Sequence, residues 1–484
     1  MAFDKTPQQS TYQTKDIKLI TQWETRDKTN TKDSQTINCF YELIQNKAAR
    51  EDMYYVVSRD GTTVYPYTIP STNIRGIHYW EDQDKLFVAY DQSVAVITAS
   101  TGVLITTLTP GFAAGTTEVG FTEFNYSTNT YKLVITNGTV LGTIDVSNVF
   151  VACTDPDLPT PHIPNPVYLD GYIFVVKVGS ADIYNSDQDD PLAWVPGEFI
   201  SAEMLPDKLV KLIRLNNYLV AFGTASVEYF YDAANATGSP LQRNDTPIKL
   251  LGYLGGLAQW GNKIFFVGNT ATTVPELFML EDFKIESLGN PPLRRYLEPQ
   301  STVTGTTVSW GGHDFYVLNT GSLTYAVDLD HRLWTQLKYK QTANFPIKFA
   351  VSLFYTGYGN TSLVVQTGVA GMSMFRADTY YDDGVDFTPT IITNNEDFDS
   401  FRTKFGCRLL VHADRPTDSS YVTISWSDDD YQTWSTGRTV ALNDAYPVLT
   451  ALGAFRRRAH KVTHTGNSRF RIQKLELDIN MGKG

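Results

Sequence analysis

Residues 76–108 read GIHYWEDQDKLFVAYDQSVAVITASTGVLITTL, and this stretch decides the fold. It contains four short apolar segments, separated by residues such as Asp, Gln, Ser and Gly that favour turns. Short apolar runs bounded by turn residues are typical of consecutive β-strands. We therefore predict one four-stranded antiparallel sheet here.

The same grouping of four strands recurs along the chain. Groups begin near residues 76, 118, 166, 209, 255 and 305, with a possible seventh near 349, so the starts are about 42 to 50 residues apart. That is the size of a four-stranded propeller blade. A single blade cannot bury both of its faces, whereas six or seven blades packed around an axis can. We predict a β-propeller over residues 37–385, with six or seven blades. Stacked β-sandwich domains are the alternative, but they need about 100 residues per unit.

The segments on either side of the predicted propeller differ from it. Residues 1–36 are polar and lack apolar periodicity, which predicts an N-terminal arm that orders against a partner or not at all. Residues 386–484 contain alternating strands with longer loops, which predict a separate C-terminal β-sandwich. The stretch PPLRRYLEP, 291–299, predicts one short surface helix. The fold class is therefore all-β.

Composition and charge exclude several classes of protein. Aromatic residues make up 13% and charged residues 19% of the 484 residues, which argues against disorder and against a coiled coil. The net charge of −12 argues against a general nucleic-acid binder. From residue 401 onward, however, 13 Lys or Arg and 8 Asp or Glu give a net charge of +5, so the first 400 residues carry −17.

The sequence shows no targeting signal that we recognise. Its first ten residues, MAFDKTPQQS, lack the apolar core of a signal peptide, and no apolar run is long enough to span a bilayer. We expect a protein made in a cytosol without a membrane span. Cys39, Cys153 and Cys407 lie far apart in apolar stretches, which predicts buried free thiols rather than disulfides or a zinc site.

Signatures of catalysis and of metal binding are missing from the sequence. We find no HExxH, GxSxG, Walker loop or GxGxxG motif, so we expect no enzyme, no catalytic residue, no cofactor and no metal site. Two acidic clusters lack the Gly and Glu of an EF-hand loop, and we interpret them as solvated turn residues. They are Asp187, Asp189 and Asp190, and Asp382, Asp383 and Asp386.

The segment SDDDYQTW, Ser427–Trp434, is similar to an Asp-box, a hairpin turn in which an Asp caps backbone donors. Asp-boxes recur in sialidase propellers. Here Asp429 takes the place of the capping acid, Tyr431 replaces the usual Gly, and the single copy lies outside the predicted propeller. The pattern favours a stable hairpin. A glycan-binding or sialidase-like propeller remains the alternative function.

The basic segment FRRRAHK, 455–461, is the sharpest charge feature and supplies candidate interface or DNA-channel residues. These are Arg456, Arg457, Arg458 and Lys461. On an extended strand, Arg456 and Arg458 would share one face and Arg457 would lie on the other. Such a face could contact phosphates of double-stranded DNA without reading its sequence, or pair with an acidic surface on a neighbouring protein. We favour the protein interface.

Residues 170–231 carry a more specific pattern. It consists of Asp170-Gly171-Tyr172, the turn Tyr184–Trp194, the segment Phe199–Asp207 and the segment Phe222–Tyr231. This pattern resembles the stabilisation protein, also called tail hub or nozzle, of short-tailed bacteriophages. The stretch LGAFRRRAHKVTHTGNSRFRIQKLELDI, 452–479, is similar to the closing segment of that family.

The resemblance implies a structural virion protein, located in the phage tail and assembled in the cytoplasm of the host bacterium. It implies a homohexameric ring below the portal and its adaptor protein, which closes or extends the DNA exit channel. The ring would carry tail fibres or tailspikes, could hold a tail needle or plug, and would contact non-specific double-stranded DNA in its lumen. An interaction module of the host is the remaining alternative to a phage protein.

Overall fold

A computed structural model describes residues 12–19, 34–44, 53–125, 131–235, 237–270, 272–300, 302–342, 344–417 and 419–482. Its regular structure is almost entirely β. Before the repeats lie β1 (Gln13–Ile17), β2 (Gln35–Ile37), β3 (Cys39–Ile44), β4 (Met53–Ser58) and β5 (Gly61–Val64). Among the described residues, no helix is long and apolar enough to cross a membrane.

Five four-stranded antiparallel sheets follow in chain order. The first contains β6 (Ile74–Trp80), β7 (Lys85–Tyr90), β8 (Ser93–Thr98) and β9 (Val103–Leu108), with a 3₁₀ turn at Glu81–Gln83. The second contains β10 (Gly120–Asn125), β11 (Tyr131–Thr136), β12 (Leu141–Asp145) and β13 (Phe150–Ala152). The third contains β14 (Val167–Leu169), β15 (Tyr172–Val176), β16 (Asp182–Asp187) and β17 (Asp190–Ser201). The fourth contains β18 (Leu209–Leu215), β19 (Tyr218–Gly223), β20 (Val227–Asp232) and β21 (Leu241–Lys249). The fifth contains β22 (Gly252–Trp260), β23 (Lys263–Asn269), β24 (Glu276–Glu281) and β25 (Lys284–Ser287).

Helix α1 (Pro291–Leu297) separates these sheets from the remaining strands. The next strands are β26 (Thr304–Trp310), β27 (His313–Asn319), β28 (Thr324–Asp328), β29 (Trp334–Leu337), β30 (Ile347–Tyr355), β31 (Gly359–Gln366) and β32 (Met372–Arg376). After them come β33 (Tyr381–Asp382), β34 (Val385–Asp386), β35 (Thr390–Ile392), β36 (Lys404–Ala413) and β37 (Tyr421–Ser427). The last strands are β38 (Arg438–Ala441), β39 (Val448–Thr450), β40 (Ala454–Phe455), β41 (Ala459–Thr465) and β42 (Arg471–Met481).

The chain divides into two compact units. The propeller unit comprises 63–324 and 346–375, and the sandwich unit comprises 1–62, 325–345 and 376–484. By sequence, the sandwich unit holds 26 basic and 26 acidic residues, whereas the propeller unit holds 14 basic and 26 acidic residues. The whole net charge of −12 therefore belongs to the propeller unit.

The propeller unit is a ring of sheets. Strands β6, β10, β14 and β18 lie beside one another in turn, β22 lies beside β19, and β26 and β30 follow, with β30 beside β6. The sheets that begin at β26 and β30 thus complete the ring that the five four-stranded sheets begin, so seven sheets take part. The predicted β-propeller is confirmed.

Alternation along β7 shows how neighbouring sheets bury one another. Phe87 and Ala89 pack toward Leu133 and Ile135 of the second sheet. Leu86, Val88 and Tyr90 point to the opposite side, where they pack with apolar residues of β31 and β32. Every residue of β7 is buried, because a second strand of a blade has a neighbouring sheet on each face. This explains why the residues after Lys85, LFVAY, are continuously apolar instead of alternating.

The sandwich unit has two sheets around one core. One sheet follows the order β3, β4, β42, β36, β39, and the other includes β29, β2, β35, β41, β37 and β38 in that order. The core between them contains Tyr41, Val56, Leu409, Val462 and Leu477, all of which are buried. The predicted C-terminal sandwich is confirmed as a fold, and N-terminal strands take part in it.

The two units divide the chain differently from the predicted boundaries at 36/37 and 385/386. Within the predicted arm, β1 pairs with β42 along its length, from Gln13 opposite Ile479 to Ile17 opposite Leu475. Residues 1–11 and 20–33 of that arm lie outside the described residues. Strand β4, placed in the predicted propeller, pairs with β42 through Val56 and Ile472. Because these partners are more than 400 residues apart, local periodicity does not indicate the pairing.

The prediction for one acidic residue is wrong. Asp382 is not a solvated turn residue: its side chain is fully buried and forms an ion pair with Arg59. Asp187, Asp189 and Asp190 lie at the β16–β17 turn, where the Asp190 carboxylate accepts a hydrogen bond from the backbone N–H of Leu192. Of the three free cysteines, Cys39 is buried, whereas Cys153 and Cys407 are partly exposed.

Candidate functional site

The basic segment lies in the sandwich unit, at the bend between β40 and β41. It is not an extended strand at Arg456 and Arg457, so the predicted alternation of faces is wrong. Arg456 is exposed, Arg457 is half-buried and Arg458 is buried. Lys461 follows in β41, where its ammonium group lies 4.7 Å from the ring centre of Trp434.

Arg458 is an internal residue of the sandwich unit. Its Nε and Nη2 donate hydrogen bonds of 2.7 and 2.8 Å to the two carboxylate oxygens of Asp428, and its Nη1 donates to the carbonyl of Leu452 at 2.8 Å. The guanidinium also stacks 4.2 Å from the ring centre of Phe455 and 5.1 Å from that of Trp426. Because each of its three nitrogens donates a hydrogen bond and its side chain is only 1% exposed, Arg458 stabilises the fold.

Arg457 is partly engaged within the same unit. Its Nη2 donates to Asp430 at 2.7 Å, and its guanidinium carbon lies 5.5 Å from the ring centre of Phe401. About one third of its side chain is exposed. Asp430 also accepts a hydrogen bond from the side-chain amide of Asn395. Arg457 therefore links the hairpin that follows β37 to the loop before β36 and keeps one edge in solvent.

The hairpin 427–434 has the capping geometry that its sequence predicts. The Asp429 carboxylate accepts hydrogen bonds from the hydroxyl and backbone N–H of Thr433 and from the hydroxyl of Ser427. These bonds, the Thr433 hydroxyl first, lower the pKa of Asp429 to about 2. Tyr431 has a φ of +66°, the left-handed conformation that explains why an Asp-box prefers Gly there. The hairpin supports Asp428 and Asp430, which hold Arg458 and Arg457.

Lys404 joins the loop before β36 to the basic bend. Its Nζ donates to the carbonyls of Arg402 and Arg456 at 3.1 and 2.8 Å, and also to that of Ser400. The Lys404 side chain is buried, and burial lowers its pKa from the ordinary lysine value. Sequence reasoning missed this residue because its partners are backbone carbonyls, which carry no sequence signal.

An exposed patch results on the surface of the sandwich unit. We call it the aromatic–cationic patch, and it consists of Phe401, Arg402, Phe405, Arg456 and Arg457. Phe401 is 64% and Phe405 50% exposed, and Arg402 and Arg456 are exposed as well. Phe405 lies opposite Ala454 in the β36–β40 pairing, two residues before Arg456. Of the four basic residues singled out in the sequence, the structure places Arg456 and the edge of Arg457 in this patch, while Arg458 lies beneath it.

The motif at 170–231 has a different character, because it stabilises the third and fourth propeller sheets. The Asp207 carboxylate accepts hydrogen bonds from the backbone N–H groups of Ala225 and Ser226, at 2.7 and 3.0 Å, and from the Ser226 hydroxyl. A Cβ at Gly223 would overlap that carboxylate. Glu228 is fully buried, accepts from the backbone N–H of Met204 at 3.2 Å, and burial raises its pKa.

Two more parts of the motif are turn contacts. Asp170 and Gly171 both have positive φ, and the Gly171 carbonyl accepts the backbone N–H of Asp189 at 2.9 Å. The backbone N–H of Trp194 donates to the carboxylate of Asp155 at 3.0 Å, and the Trp194 ring is buried. The motif therefore identifies a way of building two neighbouring sheets.

The chain matches a known protein family over more than half of its length. A family model described as Phage_stabilise, "Bacteriophage P22 Gp10, beta-propeller", matches residues 25–354. No curated protein matches the chain.

Solved structures with a similar fold are propellers of varied function. Virginiamycin B lyase from Staphylococcus aureus is 9% identical, with 66% of this chain and 98% of that chain covered and a TM-score of 0.43. The N-terminal domain of Nup159 is 9% identical, with 70% and 98% covered and a TM-score of 0.42. BamB from Moraxella catarrhalis is 11% identical, with 70% and 99% covered and a TM-score of 0.40. Likenesses at this level carry no argument about function.

Proposed function

The chain belongs to the family of the bacteriophage P22 Gp10 β-propeller, and from this premise we propose that it is a subunit of the tail hub ring of a short-tailed phage. Membership of the family makes it a structural protein of the phage tail. In the proposal, six copies form a ring below the portal and its adaptor protein in the virion. The ring closes or extends the DNA exit channel, docks tail fibres or tailspikes and has no enzymatic activity. It assembles in the host cytoplasm.

The aromatic–cationic patch is the observation that supports ring formation. It comprises the exposed Phe401 and Phe405 with the exposed Arg402 and Arg456, and the Arg457 guanidinium lies 5.5 Å from the ring centre of Phe401. Exposed aromatic and arginine side chains are enriched at the centres of protein interfaces. In a head-to-tail ring, each subunit presents one surface to one neighbour and a different surface to the other. The patch and an acidic surface of a neighbour's propeller unit, which carries the whole net charge of −12, are two such unlike surfaces.

If these surfaces attract each other electrostatically, ring formation depends on salt concentration. Charges that are exposed before association are screened over a Debye length of about 8 Å at physiological ionic strength. The phenylalanines supply an apolar contact that salt does not weaken. We therefore expect ring formation to slow as salt rises, with a smaller effect on the stability of rings already formed.

Native mass spectrometry of the purified full chain, alone and after mixing with a portal–adaptor complex, tests the proposal. We expect a species near six times 54.2 kDa. Changing Arg402 and Arg456 together to Ser should reduce the ring fraction at least fivefold in moderate salt. Arg415 and Arg469 are exposed arginines of the same unit, outside the patch, and their double change to Ser is the charge-matched control.

Two results would contradict the proposal in different ways. A chain that stays monomeric in both experiments would exclude a ring subunit. Rings that form equally well from the Arg402/Arg456 variant and from the control would exclude the patch as the subunit interface. In that second case, loss of salt-dependent binding of the assembled ring to non-specific DNA would assign the two arginines to the lumen.

A further inference from the structure

A cavity of about 500 Å³ opens at the axis of the propeller unit. Residues of β6, β10, β14, β18 and β22 line it, and these are the first strands of five consecutive sheets. The axial end of a closed β-ring is a place where side chains from many strands converge, and cavities of this size hold small ligands. None of the four motif segments within 170–231 and no residue of the aromatic–cationic patch belongs to this lining.

One side of the cavity offers a cation with uncommitted donors. Arg214 in β18 donates through Nε to the backbone carbonyl of Asn216 at 2.7 Å, which fixes the direction of its side chain. Its guanidinium carbon lies 5.9 Å from the ring centre of Tyr168. The two terminal nitrogens of Arg214 have no hydrogen-bond partner in the described part of the chain. A planar guanidinium held in this way suits two-point binding of a carboxylate or a phosphate.

Another part of the lining supplies an anion and hydrogen-bonding groups. The imidazole Nε2 of His78 lies 3.0 Å from a carboxylate oxygen of Glu123, whose side chain is 46% exposed. The His78 ring is stacked on Phe121 at 5.9 Å, with 13° between the ring planes. The amide side chains of Asn125 and Gln259 belong to the same lining. These groups can both donate to and accept from hydroxyl groups.

The charges of the lining distinguish among possible anions. Arg214 is the one permanently charged cation and Glu123 the one carboxylate among the lining residues that the structure describes. A phosphate group or a nucleic acid would bring two or more negative charges toward Glu123 with a single arginine to compensate them. A ligand with one carboxylate and several hydroxyl groups fits this lining better. Its carboxylate can bind the single guanidinium, and its hydroxyls can bind the amides and donate to the carboxylate of Glu123.

We propose that the axial cavity binds an acidic saccharide, with the carboxylate of the sugar on Arg214 and its hydroxyls on Glu123, Asn125 and Gln259. The rings of Phe121 and Tyr168 provide flat apolar surfaces for the C–H groups of the sugar ring. The volume suffices for a mono- or disaccharide unit. This inference goes beyond the tail hub proposal and does not depend on ring formation.

The test is binding of defined saccharides to the purified full chain, measured by saturation-transfer NMR and calorimetry. The probes are sialyllactose and digalacturonate as acidic saccharides, lactose as the neutral saccharide, and inorganic phosphate as a competing anion. We expect at least one acidic probe to bind at least tenfold more tightly than lactose. Phosphate at equal concentration should not displace it.

Variants connect the binding to the cavity. Arg214→Gln should lower the affinity for the acidic probe at least tenfold, to about the affinity for lactose. Arg214→Lys should retain part of the affinity for the acidic probe. Arg295→Gln, an exposed arginine of helix α1 outside the cavity, is the matched control and should bind as the unchanged protein does. His78→Gln keeps a hydrogen-bonding group and tests the lining independently, if the Arg214 variants fold poorly.

Several outcomes would overturn the proposal. Absence of binding by both acidic probes at millimolar concentration would do so, as would equal affinity for lactose or displacement by phosphate. Unchanged binding in a folded Arg214→Gln variant would place the saccharide elsewhere on the molecule.

Discussion

The guanidinium of Arg59 and the carboxylate of Asp382 form a two-point ion pair inside the sandwich unit, with no exposed surface on either side chain. The two hydrogen bonds measure 2.9 and 2.6 Å. Arg59 also donates to the side chain of Asn38 and to the carbonyl of Lys338, and its guanidinium lies 4.0 Å from the ring centre of Phe387. One arginine thus joins chain segments that are more than 300 residues apart.

The first prediction is that Asp382→Ala destabilises the sandwich unit by about 3 to 5 kcal/mol, because it leaves a buried guanidinium without its counter-charge. Urea unfolding followed by tryptophan fluorescence measures the change. The double variant Arg59→Met and Asp382→Leu should recover most of the loss, since a methionine at 59 keeps the contact with Phe387. If Asp382→Ala lowers the free energy of unfolding by less than about 1 kcal/mol, the ion pair does not hold these chain segments together as we describe.

The second prediction separates the arginines of the basic bend. Arg458→Ser should lower the free energy of unfolding by about 2 kcal/mol, because it removes a buried side chain that packs on Phe455 and leaves the Leu452 carbonyl without its donor. Arg456→Ser should change stability by no more than about 0.5 kcal/mol, since Arg456 is exposed. Thermal and urea unfolding of the two variants provide the comparison. Equal destabilisation by both would contradict the assignment of Arg458 to the fold and Arg456 to the surface.

The third prediction concerns the stability of the sandwich unit at low pH. Burial lowers the pKa of His460 to about 3, with Arg458 contributing, and that of His464 to about 4, from an ordinary value of 6.5. Because the folded state takes up these protons less readily than the unfolded state, stability is complete above about pH 6.5 and falls as pH decreases toward 4. Each histidine contributes a slope of about 1.4 kcal/mol per pH unit in that window.

Urea unfolding between pH 7 and pH 4.5 measures this slope. A His460→Gln and His464→Gln double variant should lose stability at pH 7 and show a flatter dependence on pH. His331, which is partly exposed, is the position for the control substitution to Gln. An unchanged slope in the double variant would show that other groups carry the acid sensitivity.

The fourth prediction tests why the motif at 170–231 is specific. Asp207→Ala removes the acceptor for two backbone N–H groups and one hydroxyl and should destabilise the propeller unit by about 2 kcal/mol. Asp245→Ala is the matched control, because Asp245 is 75% exposed and pairs with a partly exposed arginine, so its loss should cost about 0.5 kcal/mol or less. Similar effects of both changes would refute a capping role for Asp207.

Much of the fold and part of the site could be read from the sequence. The four-strand groups predicted the propeller because blade strands are local neighbours, and the Asp429 hairpin was predictable because its hydrogen bonds span four residues. The basic segment was found from its charge alone. The geometry of the segment could not be predicted in this way. The pairing of β37 with β41 brings Asp428, thirty residues earlier, next to Arg458, and the ion pair between them allows Arg458 to be buried.

The sequence by itself determined the features that depend on neighbours along the chain, namely strand grouping, turn chemistry and the family motif at 170–231. Tertiary structure alone decided which strands share the sandwich unit and which acid is buried: β1 lies beside β42, and Asp382 is paired with Arg59. The tertiary structure also divides the charge differently from the sequence. The sequence has a basic C-terminal part, whereas the structure has a neutral sandwich unit and a propeller unit with a net charge of −12. The physical reason is the same in each case, since the periodicity of a segment shows that one of its faces is buried but does not show which distant segment it pairs with.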